Sequence, residues 1–126
     1  MKVIICGAGQ VGFNIARYLS QENNDVSVID QSPELIGMIN DSLDVQAFVG
    51  HASHPDVLER AGAAEADMLI AVTLADEVNM VLEVRFLQNR FSILFVSSLS
   101  YHIANLHGEL RPSVRSIMKL TLPHFL

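Results

Sequence analysis

Tryptophan is absent, aromatic residues make up 6% of the chain, and there is one cysteine, Cys6. A lone cysteine excludes an intrachain disulfide. No charged segment precedes a signal-type apolar stretch either, so a reducing, cytoplasmic setting is expected. Basic residues are scarce, with 8 Lys and Arg against 14 Asp and Glu and a net charge of −6. That balance leaves a nucleic-acid partner without electrostatic support. No apolar run reaches the roughly 18 residues that span a bilayer, and the most apolar late stretch, Ile93 to Leu99, is strand-sized. There is no internal repeat and no low-complexity linker. What the chain does have is 126 residues that are 50% hydrophobic. That suits one compact domain, but it is too short for a cofactor domain beside a separate substrate domain.

Short apolar runs alternate with helix-like segments. Val3 to Cys6 is continuously apolar and ends at glycine, as a strand buried on both faces would. Val11, Ile15 and Leu19 recur at helical spacing with Tyr18 beside them, predicting one apolar helix face that Asn23-Asn24-Asp25 breaks. Val26 to Ile29 is a second strand ending at Asp30. Ser32-Pro33 starts a helix whose apolar face is Leu35, Ile36 and Ile39. Val45 to Val49 is a third strand closed by Gly50. Pro55 opens a short helix carrying Val57, Leu58 and Ala61, with Gly62 suited to the left-handed position past its end. Met68 to Val72 is a fourth strand, and a longer helix is predicted from Asp76 towards Gln88 or Arg90. Met38, Met68 and Met80 are expected as core filler. This alternation predicts an α/β, Rossmann-type doubly wound fold, with a mainly parallel sheet and helices on both faces.

The chemistry is concentrated in Gly7-Ala8-Gly9-Gln10-Val11-Gly12. In a dinucleotide fingerprint the first glycine permits the tight turn, the second lets backbone approach the pyrophosphate, and the third lets helix pack on strand. The helix N-terminus then offers N–H groups and a positive dipole end to phosphate. Such a string alone is weak, but here it follows a buried strand, opens an amphipathic helix, and is answered by Asp30. A carboxylate at the end of the second strand can accept from both ribose hydroxyls. Residues 31–36 hold no Arg or Lys to pair with an extra ribose phosphate. NAD or NADH is therefore expected over its phosphorylated counterpart, with ADP or ATP compatible with the same motif.

Six segments agree in order and spacing with one family. They are the GAGQVG string, Asn23-Asn24-Asp25, Asp30, Gly50-His51-Ala52-Ser53-His54-Pro55, Leu58 to Asp67, and Ala71-Val72-Thr73 with Asp76-Glu77-Val78-Asn79-Met80. Over about residues 1–80 the chain resembles the N-terminal, RCK/KTN-type nucleotide-binding domain of TrkA, the regulatory subunit of bacterial Trk potassium uptake. The resemblance implies a regulator and not an enzyme. Rings of such domains sit on the cytoplasmic face of a membrane potassium translocator subunit, peripheral to the membrane, and respond to nucleotide by changing shape. It also implies homo-oligomers. Position by position, it places Gly7, Ala8, Gly9, Gln10 and Val11 along the pyrophosphate and Asp30 on the adenosine ribose. His51 falls near the adenine, and Thr73 and Leu74 beside the glycine loop.

After about Met80 the sequence departs from the family, whose next strand is of the type Ile-Ala-Arg-Ile-Arg. Phe91 to Ser97 carries no arginine. The charge balance also shifts: residues 1–91 hold five basic and thirteen acidic residues, a balance of −8, and residues 92–126 hold three and one, a balance of +2. The expected organisation is a Rossmann-type NAD-binding domain over residues 1–91 and a divergent tail over 92–126. That tail either completes the sheet or is a truncation or frameshift product, which resequencing the source DNA distinguishes. Within it, Ser92 to Val96 is a strand candidate, Ser100 to Leu110 a helix candidate, and Ser113 to Leu122 either. His51 and His54 lack the further ligands a zinc site needs, so no metal is expected. Cys6 has no evident base beside it and is expected as a core residue. The alternative function is a small NAD-dependent oxidoreductase or its isolated cofactor domain, although Tyr101 has no lysine within the next five residues to support hydride chemistry.

Overall fold

The computed structural model describes residues 1–73, 92–96 and 101–105. Among them lie strands β1 (Lys2–Cys6), β2 (Asp25–Asp30), β3 (Gln46–Val49), β4 (Met68–Ala71), β5 (Ser92–Val96) and β6 (Tyr101–Asn105). The helices are α1 (Gln10–Gln21), α2 (Pro33–Ser42) and α3 (Pro55–Arg60), followed by a 3₁₀ turn at Ala63–Glu65. The strands form one sheet in the order β3-β2-β1-β4-β5-β6. Its first five strands run parallel, and β6 is antiparallel to β5.

The continuous apolar runs are explained by two-sided burial. Val3, Ile5, Val26, Val28, Met68 and Ile70 project to one face, where Ile15, Ala16 and Leu19 of α1 and Ile36 and Ile39 of α2 cover them. Ile4, Cys6, Ile29, Leu69 and Ala71 project to the other, beneath Val57 and Leu58 of α3. Successive strand residues alternate faces, so a slip of one residue would exchange the two cores. Each fully buried Ile or Leu stabilises by about 1.5–3 kcal/mol through area removed from water. The chain is thus a doubly wound α/β domain, as its pattern predicts.

Local signals set the element ends. Asn23 closes α1 with a positive φ of 60°, and the Asn24 side-chain amide donates to the Leu19 carbonyl at 3.0 Å. The Ser32 hydroxyl caps α2 by accepting from the Leu35 N–H at 3.3 Å, ahead of Pro33. Gly62 follows α3 at φ 88°, the left-handed conformation for which glycine carries no Cβ penalty.

Three expectations change. Val11 does not join the core face of α1: it is 48% exposed, and the buried residues of that helix are Gly12, Ile15, Ala16 and Leu19. Periodicity marks a helical face but not how far the sheet extends beneath it, so it misplaces a residue in the first turn. Met38 is 60% exposed and is not core filler. Residues Tyr101–Asn105 form a strand where the sequence suggests a helix. Their own spacing does not dictate this. The open edge of β5 supplies a hydrogen-bonding partner, with Leu94 opposite Ile103 and Val96 opposite Tyr101, and pairing overrides weak local propensity. The expected helix from Asp76 towards Gln88 or Arg90, the Ser113 to Leu122 segment and Met80 lie outside the described residues.

Candidate functional site

The strand order reverses direction between β1 and β4, the neighbours from which the chain winds outward to either side. In such sheets ligands gather at the carboxyl ends of the strands beside that switch point. A cleft of about 490 Å³ opens there. Its floor is the glycine loop after β1, one wall is Asp30 and Gln31 at the end of β2, and Val72 and Thr73 after β4 close the opposite side.

Each motif glycine meets a different constraint. Gly7 has φ 119°, and a Cβ there would lie 2.7 Å from the Val72 carbonyl oxygen. Its N–H donates to the Ile29 carbonyl at 2.8 Å, so the turn is locked to β2. At Gly12 a Cβ would collide with the Gly7 carbonyl oxygen, because α1 rests directly on the loop. Gly9 is different: a Cβ would meet nothing within 4 Å and its φ is an ordinary −66°. The protein's own atoms do not require glycine there. Open space above the backbone suits a group that must approach it closely.

Gly9 is also the cap residue of α1, which has no side-chain cap and no acid in its first turn. α2, by contrast, has Ser32 and Glu34, and α3 has Asp56. The first-turn N–H groups of α1 have no intrahelical partners, and Gln10 and Val11 of that turn line the cleft. The local field therefore favours an anion. A dinucleotide's pyrophosphate fits this donor set and the glycine cradle.

Asp30 is half-buried at the cleft wall. Its Oδ2 accepts from the Ala8 N–H at 2.8 Å and its Oδ1 from the Ser32 N–H at 2.8 Å. Its backbone carbonyl accepts from the Gly50 N–H at 2.9 Å. Each carboxylate oxygen keeps lone-pair capacity for a ligand hydroxyl.

The residues marked by sequence are largely brought together. Gly7, Gly9, Gln10, Val11, Asp30 and Thr73 line the cleft, Ala8 is buried beneath it and tied to Asp30, and Gly12 seats the helix. His51 stands apart from the lining, although its neighbours Gly50 and Ala52 belong to it. Its Nδ1 receives the Ser53 N–H at 3.2 Å and lies 2.6 Å from the Ser53 hydroxyl, and its ring stacks on His54 at 4.9 Å. Leu74 lies outside the described residues, as do Asp76, Glu77 and Asn79. Ile29, Gln31, Gly50 and Val72 also line the cleft, and the position of each at a strand's carboxyl end could have signalled it. Leu35 and Ala52 could not be found that way. Leu35, assigned by periodicity to the core face of α2, is only half-buried and lines both this cleft and an adjoining groove of about 380 Å³ with Phe13 and Met38.

Residues 3–105 match the TrkA-N domain family. The Trk system potassium uptake protein TrkA of Azorhizobium caulinodans is 68% identical over 81 residues, which are 64% of this chain and 18% of that protein. The chain thus spans less than a fifth of the length of the curated relative it matches. Among solved structures, the AMP-bound Kef C-terminal domain of Shewanella denitrificans is similar with a TM-score of 0.62 and 29% identity, over 71% of this chain and 53% of that one. The TrkA-N domain of the inner membrane protein ybaL from Escherichia coli shares the fold, with a TM-score of 0.64 at 20% identity over 73% of this chain and 69% of that one.

Proposed function

Because this chain belongs to the TrkA-N domain family, we propose that it binds NAD or NADH in the cleft and reports occupancy to a Trk-type membrane potassium translocator. The observation that carries the reading is the pairing of an uncapped α1 N-terminus over Gly9 with Asp30 on the facing wall. The first suits a pyrophosphate and the second a ribose diol. Gly7, Ala8, Gly9, Gln10 and Val11 would cradle the phosphates while Gly12 holds the helix against them. Asp30 would take the ribose, Gly50 and Ala52 would wall the adenosine end with His51 behind them, and Thr73 and Leu74 would close the loop side. Residues 1–91 are taken as the nucleotide unit, and β5 and β6 continue the same sheet.

The role is regulatory. Ligand favours whichever conformation it binds better, and that shift is what a translocator would read. Acting on a symmetric membrane partner calls for a homo-oligomer at the cytoplasmic face of the membrane. No helix among the described residues is long and apolar enough to cross a bilayer. An adenine mononucleotide is the second reading, favoured by the AMP in the Kef domain at 29% identity.

Thermal stabilisation by NAD, NADH, AMP, ADP and ATP, measured in parallel, separates these ligands. Stabilisation should be largest with a dinucleotide, reaching about 2.7 kcal/mol at a hundredfold excess over Kd. Asp30→Ala should weaken NADH binding by about 1–3 kcal/mol in calorimetry, the cost of leaving donors unpaired. No stabilisation by any of the five nucleotides would end the nucleotide reading.

A further inference from the structure

Asp30 does more in this structure than face a ligand. Its two carboxylate oxygens are each held at 2.8 Å by a backbone N–H, one from Ala8 in the glycine loop and one from Ser32 at the start of α2. Ala8 is 3% exposed, so its N–H has no recourse to water if that acceptor is removed. The same residue's carbonyl holds Gly50 at the turn after β3, and the preceding carbonyl, of Ile29, holds Gly7. The turns after β1, β2 and β3 are thus all tied to the last two residues of β2.

We propose that Asp30 is a positioning residue for the glycine loop: its carboxylate anchors Ala8 before any ligand arrives and so fixes the neighbouring N–H groups that face the phosphates. Gly7 and Gly9 flank Ala8; the Gly7 N–H is held by the Ile29 carbonyl and the Gly9 carbonyl by the Phe13 N–H, each at 2.8 Å, which leaves the Ala8 N–H to be held from outside the loop. The side chain of Asp30 supplies that restraint from the end of β2. Phosphate affinity then depends on a residue that phosphate does not touch. A ribose contact alone has no such consequence, and it leaves the ligand-free loop unaffected.

The tests use the full 126-residue chain. Asp30→Ala removes both acceptors. Asp30→Asn keeps the shape but has one acceptor oxygen, so it cannot serve Ala8 and Ser32 together, and it guards against a misfolded alanine variant. Hydrogen exchange without ligand should show the Ala8 amide losing protection at least tenfold in Asp30→Ala, and the Ala8 or the Ser32 amide losing it in Asp30→Asn, while amides of central β1 stay protected. Binding is then compared for NADH and for dideoxyadenosine diphosphate, which carries a diphosphate but no ribose hydroxyls. Loop positioning predicts that both affinities fall, the dideoxy ligand's by about 3- to 10-fold, the factor of one lost hydrogen bond. Unchanged Ala8 exchange in Asp30→Ala, or unchanged Ala8 and Ser32 exchange in Asp30→Asn, together with an NADH loss the dideoxy ligand does not share, would overturn the proposal and leave Asp30 as a ribose contact alone. The affinity comparison rests on the nucleotide reading above. If wild type binds neither ligand, that reading fails, and the Ala8 exchange still decides the anchor.

Discussion

At the scale of single residues, Cys6 shows how burial disposes of apparent chemistry. It lies on β1 fully enclosed between the sheet and α3, and that burial pushes its thiol up to about 12 by disfavouring the thiolate. The folded protein holds this proton more tightly than the unfolded chain. Its contribution to stability is therefore complete below the ordinary thiol range near pH 9 and is lost as pH rises towards 12. Iodoacetamide at about pH 8, just below the free-thiol range, should label Cys6 only as fast as the chain unfolds, with the rate rising steeply in denaturant. Labelling of native protein at the rate of a free thiol would contradict the assignment. Asp30 shows the opposite case. Its place at the end of β2 was legible in sequence, but its bonds to Ala8 and Ser32 were not, because they join residues 22 positions apart and across a turn.

At the scale of elements, the three glycines of the β1–α1 turn separate folding from binding. Gly12→Ala drives a Cβ into the Gly7 carbonyl and should destabilise by about 3 kcal/mol or more, because backbone cannot yield as a side-chain tip can. Gly9→Ala meets open space at an ordinary φ. It should leave Tm within a few degrees of wild type, yet weaken NADH binding at least tenfold by occupying the approach to the loop. Thermal melts with and without NADH check both, and a Gly9→Ala protein that binds normally would remove the loop from the site. Strands β1 to β4 and helices α1 to α3 were legible because their signals are local: apolar runs between glycines, the Ser32-Pro33 start, the Asn23 stop. β6 was not legible. What makes Tyr101–Asn105 a strand is the open edge of β5, and no window of its own sequence contains that partner.

At the scale of the whole molecule, the sheet order places β1 at the middle of the described fold, paired on both sides with β2 and β4, while β3 and β6 lie at the edges. Amides of Ile4 and Ile5 should exchange only through global unfolding, and those of β3 through smaller, earlier openings. Hydrogen exchange that finds β3 as protected as β1 would contradict this hierarchy. The cleft lies at the carboxyl ends of the strands beside that centre. Sequence by itself determined the α/β class, the strand–helix alternation, the glycine turn and the acid that answers it, since each follows from residue spacing and local stereochemistry. Only the tertiary structure decided that Val11 lines the cleft and not the core, that Leu35 touches both, that His51 is not part of the lining, and that Asp30 ties loop to helix. Those outcomes depend on how helices sit on the sheet and on which turns meet at its edge, and distances between residues remote in sequence are set by packing rather than by pattern.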